Sequence, residues 1–257
     1  MLNTQPHLLN NINPELPCLA HKLFLNSKKL HMKYLLYSIL IVFAFIGCQK
    51  YDCAQDECAD GLLKATIPST IDRIVIKDGN GTFNIRKQAE SAFFFPGGWI
   101  EEKGYNNFSV SGNTLTIKNT FSDSYISLQA LNDIEIVDGN SSTYISKSFS
   151  TGEMSMSIGG NASVYFDEVC GDEAQDQPAP RSSDFDLVVD VSQNGTLHGY
   201  GVKFRDVSAD VYSNGTVKVN VEQNLTVNIP SNGDVYYKGM PSITSNIGFM
   251  GSLINDN

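Results

Sequence analysis

The stretch SNGTVKVNVEQNLTVNIPSNGDVYYKGMP, residues Ser213–Pro241, decides how this chain is to be read. Val217, Val219 and Val221 alternate with Thr216, Lys218 and Asn220. Leu225, Val227 and Ile229 alternate with Thr226 and Asn228. Apolar residues at every second position mark a strand with one face on a core and the other in water. The two runs lie between Asn214-Gly215 and Asn232-Gly233, whose glycines are 18 residues apart, and Asn194-Gly195 stands 20 residues before the first of them. In each case a small polar residue and then an apolar strand starter follow. Asn-Gly suits backbone positions of positive φ, which other residues occupy only at a cost.

The same alternation extends outward from this stretch. It recurs at Ile74 and Ile76, Leu115 and Ile117, Ile134 and Ile136, Met154, Met156 and Ile158, Leu187, Val189 and Val191, and Val207, Ala209 and Val211. No stretch of comparable length has a helical period. Asn80-Gly81-Thr82-Phe83 repeats the turn pattern, and Gly139-Asn140 and Gly160-Asn161 echo it. A hairpin meander would separate such turns by roughly 8 to 12 residues. A solenoid places one in each coil, so a repeat near 20 residues favours the solenoid. The expected fold is therefore all-β, a parallel β-helix whose coils lie about 4.8 Å apart. Its apolar positions stack into a core, and Thr, Asn, Ser and Asp form ladders outside.

The most specific string is Gly233-Asp234-Val235-Tyr236-Tyr237-Lys238-Gly239-Met240-Pro241. With Ser213–Val217, Ile229–Asn232, Gly248 and Gly251, it resembles the head GIN domain family of auto-transporter adhesins. The resemblance extends from about Thr70 to the C-terminus and is strongest after Phe185. Asn stands where that family often has Ser before Gly, and an insert at 171–183 departs from it. The resemblance implies an exported lipoprotein of a Gram-negative bacterium, a right-handed parallel β-helix and an adhesive role.

The N-terminal region is read separately. Residues 34–46, YLLYSILIVFAFI, are apolar apart from one Ser. They are too few to span a bilayer and suit the apolar region of a signal peptide. Lys33 flanks the run, and Phe45-Ile46-Gly47-Cys48 resembles a lipoprotein processing site with Phe where Leu is usual. Cys48 is thus the expected lipidation site, and acylation there gives the several chains that stable anchoring requires. Residues 32–47 are read as the signal peptide, starting at Met32, and 48–61 as an acidic tether. Residues 1–31 are read as a mis-assigned leader and 62–257 as the β-domain. Gln49-Lys50-Tyr51-Asp52 looks like a signal for display on the outer membrane, with the periplasmic face as the alternative.

Residues 1–47 carry a net +3, so the remainder carries −13 of the chain's total −10. Such an acidic domain is repelled by nucleic acid. Cys53, Cys58 and Cys170 permit one disulfide in an oxidising compartment, with Cys53–Cys58 nearest in sequence. One histidine, His198, follows Cys48, so no metal site is expected.

No catalytic constellation or cofactor site is recognisable. His198 lies in a strand and is read as an outward side chain. Phe93-Phe94-Phe95-Pro96-Gly97-Gly98-Trp99 has too many aromatics to face one core. It is read as a cover over an open edge or, alternatively, as a platform of Phe94, Phe95 and Trp99 for a glycan or protein ligand. Asp190, Asp210 and Asp234 recur at coil-like spacing and are read as a candidate outward carboxylate row, with Arg205 near it. The expected function is non-enzymatic: a lipid-anchored surface protein for adhesion or ligand binding. The alternatives are a polysaccharide lyase or hydrolase, which needs clustered carboxylates, and a structural envelope component.

Overall fold

Alternating β-branched and polar residues leave each segment an apolar face that only neighbouring strands can cover. The computed structural model describes residues 62–96, 107–119, 124–150, 152–167 and 184–257. Its strands are β1 (Leu62–Thr66), β2 (Arg73–Lys77), β3 (Gly79–Lys87), β4 (Ala92–Pro96), β5 (Phe108–Ser111), β6 (Thr114–Lys118), β7 (Ser124–Leu128), β8 (Asp133–Ile136) and β9 (Gly139–Ser146). They continue with β10 (Gly152–Ile158), β11 (Ser163–Asp167), β12 (Phe185–Val191), β13 (Thr196–Val211), β14 (Thr216–Ile229), β15 (Asp234–Lys238), β16 (Ser242–Ile247) and β17 (Ser252–Asn255). A 3-10 turn spans Lys147–Phe149. The all-β expectation holds.

Two parallel ladders run through the molecule. The first is β6–β2–β8–β10–β12–β13–β14–β16. The second is β7–β3–β9–β11–β13–β14–β15–β17. β13 and β14 are long enough to enter both. Parallel neighbours rule out a hairpin meander. In register, the inward side chains form rows. One row is Leu115–Ile74–Ile134–Met156–Val189–Ala209–Val227. Every member is buried within one hydrophobic cluster. A fully buried Ile, Leu or Val contributes about 1.5–3 kcal/mol, offset by the entropy of ordering the chain.

Two features were not legible beforehand. The pair β2 and β3 lies between β6/β7 on one side and β8/β9 on the other, so spatial order departs from chain order. Gly139, at φ +123°, meets the backbone of Gly79 so closely that a Cβ there would collide with the Gly79 carbonyl oxygen. In addition, β4 lies antiparallel on β7 and carries β1 on its far side, while β5 lies antiparallel on β6. Phe93 and Phe94, within the described part of the aromatic segment, thus lie on a strand paired to the edge of β7.

The repeated turns meet the expectation of positive φ at Gly81 (110°), Gly139 (123°) and Gly160 (67°). At the later Asn-Gly turns it falls on Gln193 (58°) and Ser213 (56°), before the pairs. Gly195 and Gly215 are needed for space instead. A Cβ on Gly195 would lie 2.8 Å from the Ile158 carbonyl oxygen, and one on Gly215 would lie 2.8 Å from Val191 Cγ1. Real Cβ contacts are longer, so only glycine lets adjacent turns stack this closely.

Candidate binding surface

The outer face of the second ladder carries one continuous row. Its register is Tyr125–Asn84–Tyr144–Tyr165–His198–Lys218–Tyr236–Ile254. Parallel pairing without a slip places each of these side chains directly over the next. The Tyr144 and Tyr165 rings stack at 4.8 Å and 13°, and Tyr165 and His198 at 4.3 Å and 1°. Beyond the histidine, Lys218 Nζ sits 5.6 Å from the centre of the Tyr236 ring. At the other end, Phe94 stacks on Tyr125 at 4.2 Å, and the Arg86 guanidinium lies 3.8 Å over Tyr125.

The ring faces in this row cover one another, so it is their edges that meet solvent. What Tyr144, Tyr165 and His198 offer a partner is a file of phenol and imidazole groups, not flat apolar faces. Beside it runs a hydroxyl row, Thr82–Ser142–Ser163–Thr196–Thr216, closed by Asp234 and Ser252. Burial, and then Lys218, push the His198 imidazole below its usual range. Burial, and then Tyr165 and Asp167, push the Tyr144 phenol up. Both groups are thus held neutral near pH 7.

At the corners, Asn side chains form their own chain. Asn161 Nδ2 donates to Asn140 Oδ1 at 2.8 Å, Asn194 to Asn161 at 2.8 Å, and Asn214 to Asn194 at 3.2 Å. An amide both donates and accepts, so each one satisfies the next in turn.

The outer face of the first ladder is acidic. Its register brings Glu135, Ser157, Asp190, Asp210, Asn228 and Asn246 into one row. Asp190 and Asp210 are direct neighbours, and burial together with Asp210 raises the Asp190 carboxyl above its usual range. Asn228 Nδ2 donates to Asp210 Oδ1 at 2.7 Å, and Asn246 donates to Asn228 at 2.9 Å. The candidate carboxylate row is corrected at one member: Asp234 pairs with Thr216 and Ser252 on the second ladder and does not join Asp190 and Asp210. Equal spacing in sequence did not distinguish strands of the two ladders. Glu135 was missed because it belongs to a shorter strand without an Asn-Gly pair.

Arg205 is not beside Asp190. Its guanidinium forms an ion pair with Asp186 and donates to Asp206 at 3.2 Å, with Asp184 at 4.0 Å. The Asp186 hydrogen bond raises its pKa further, so this cation is engaged by carboxylates. Among the described residues, no group of three or more His, Cys, Asp or Glu could hold a metal ion.

The aromatic platform is corrected as well. Phe95 is 3% exposed and packs in the core beside Phe93, at 5.0 Å, and Phe108, at 5.9 Å. Phe94 points the other way, as strand alternation requires. Trp99 lies outside the described residues, as do Cys48, Cys53, Cys58, Cys170 and the insert at 171–183.

The structure thus defines an all-β protein of stacked parallel strands with repeated polar rows on its outside. The chain belongs to the family described as putative auto-transporter adhesin, head GIN domain, whose model matches residues 102–241. Its structure is similar to that of a putative adhesin from Bacteroides fragilis NCTC 9343, with a TM-score of 0.50 at 15% identity, covering 76% of this chain and 95% of that one. A putative adhesin from Parabacteroides merdae ATCC 43184 aligns with a TM-score of 0.34 at 14% identity, covering 75% of this chain and 94% of that one. A putative lipid binding protein from Parabacteroides distasonis ATCC 8503 aligns with a TM-score of 0.39 at 13% identity, covering 76% and 96%. No curated protein sequence matches the chain.

Proposed function

We propose that this chain is an exported, lipid-anchored β-solenoid that binds a glycan or protein ligand on the outer face of its second ladder, without catalysing a reaction. The observation that carries the reading is the unbroken stack Tyr144–Tyr165–His198. It places neutral hydrogen-bonding groups at a step of about 4.8 Å along a straight line. An extended ligand lying along that line meets one such group per coil. Two ladders of parallel strands recurring every 18 to 20 residues between Gly195 and Gly233 support the solenoid, and the family's head GIN domain supports adhesion.

The anchor is Cys48, after a signal peptide of residues 32–47. The outer membrane is the expected location, with the acidic tether at 48–61 leading to the β-domain at 62–257. The Asp190–Asp210 pair is the feature that favours an enzyme most. The cation expected beside it, Arg205, is held by Asp186 and Asp206 instead. The reading is tested by exposing the full chain to glycan and matrix-protein arrays and recovering the bound ligand for mass measurement. Saturable binding with the ligand intact is expected. Cleaved ligand, or no binding at all, contradicts the proposal.

A further inference from the structure

The last two strands each have one strand partner among the described residues and carry no charged side chain. Among the described residues, β16 pairs only with β14, and β17 is hydrogen-bonded through β15. Leu225 and Ile229 on β14 are completely buried, yet their register partners Ile243 and Ile247 are 42% and 40% exposed. The side chains differ little and so does their direction; what β16 lacks, among the described residues, is a strand on its outer edge. Phe249, in the turn between β16 and β17, is 88% exposed. From Gly239 to Asn255 the chain has no Asp, Glu, Lys, Arg or His, although 18% of its residues are charged. Soluble proteins ordinarily guard a bare strand edge with charge, a bulge or a covering segment. The opposite end of this molecule has such a cover, in β4 on β7 and β5 on β6, both antiparallel.

We infer that this end is a self-association surface, where β16 and β17 meet the same strands of a second copy through a two-fold axis. The polarity of β16 is symmetric about Ser245: Ile243-Thr244-Ser245-Asn246-Ile247. Antiparallel pairing centred on Ser245 sets Ile243 opposite Ile247 of the second copy with both on the core side, and Thr244 opposite Asn246 outside. Both open edges close in one isologous contact. Charge favours the same partner: the chain carries −10 overall, so its uncharged end is where two copies meet with least repulsion. A strongly charged partner finds nothing there to pair with.

Sedimentation velocity on the full chain in mild detergent, over a concentration series, tests the inference. The parent chain is expected to dimerise, and Ile243→Lys to remain monomeric throughout. The lysine occupies a partly exposed position, so the monomer can accommodate it. Ser245→Cys, on the two-fold axis, is expected to form an intermolecular disulfide that the parent chain does not form, since directly opposed residues lie within disulfide reach. If Ile243→Lys fails to fold, this cross-link alone decides. A monomeric parent overturns the inference, as does association that Ile243→Lys leaves unchanged while Ser245→Cys fails to cross-link.

Discussion

Gly139 and Gly112 both have positive φ, at +123° and +61°, but only Gly139 abuts another backbone. Alanine at Gly112 has open space and is expected to cost about 1 kcal/mol for its left-handed backbone. Alanine at Gly139 must also displace Gly79, and more than about 2 kcal/mol is expected. Urea denaturation of the two variants checks the contrast. Equal losses would mean that close contact with the Gly79 backbone does not constrain the corner. The same distinction explains why the turn chemistry was only half legible. Asn-Gly correctly located the corners at 194–195 and 214–215, but suggested the wrong reason for glycine. Positive φ is met by Gln193 and Ser213, while Gly195 answers to the Ile158 carbonyl and Gly215 to the Val191 side chain. No local pattern reports neighbours so distant in sequence.

His198 gives a second test at this scale. Its imidazole is held below the usual range, so the folded chain takes up a proton less readily than the unfolded chain. Stability is therefore complete above the ordinary histidine pKa of about 6.5 and falls as pH drops from there toward the folded-state value. His198→Tyr keeps a flat ring on Tyr165 without this titration. Thermal unfolding at pH 7.5 and pH 5 is expected to show a smaller acid loss in the variant than in the parent. An equal loss would assign the acid sensitivity to other groups.

Among the elements, β4 divides the aromatic run most clearly. Phe93 is buried against Phe83 and Phe108, at 6.2 and 5.6 Å, whereas Phe94 lies on the outer side over Tyr125. Phe93→Ala is expected to cost about 3–5 kcal/mol, as for other buried aromatics. Phe94→Ala is expected to cost about 1 kcal/mol, the scale of one stacked pair. Hydrogen exchange adds a spatial readout: in Phe93→Ala, β1 and β4 lose protection before the inner strands do. Loss of protection first in β14 would show that the aromatic cover does not hold that end.

The strands themselves were legible because period-two alternation is local, from Ile74 and Ile76 to Val227 and Ile229. Their order was not. Nothing in residues 73–87 announces that they insert between 114–128 and 133–146, since every inner strand has the same apolar face. The misplacement of Asp234 has the same origin: spacing along the chain does not say which ladder a strand joins.

Across the whole molecule, the two outer faces differ in chemistry. The first ladder carries Glu135, Asp190 and Asp210 in one row and Asp186 and Asp206 near Arg205. The second presents tyrosine, histidine and hydroxyl rows with Lys218 among them. An acidic face keeps like-charged chains apart and soluble. Along Tyr144, Tyr165 and His198 that second face can give up its water to a partner without burying an unpaired charge.

The most direct test of this division is the affinity of the full chain for its array ligand, compared between Tyr165→Ala and Asp190→Asn. Folding of both is verified by circular dichroism. Tyr165→Ala is predicted to weaken binding about tenfold, equivalent to about 1.4 kcal/mol, while Asp190→Asn leaves it unchanged. Unchanged binding in Tyr165→Ala together with a loss in Asp190→Asn would place the ligand on the acidic face and contradict the account.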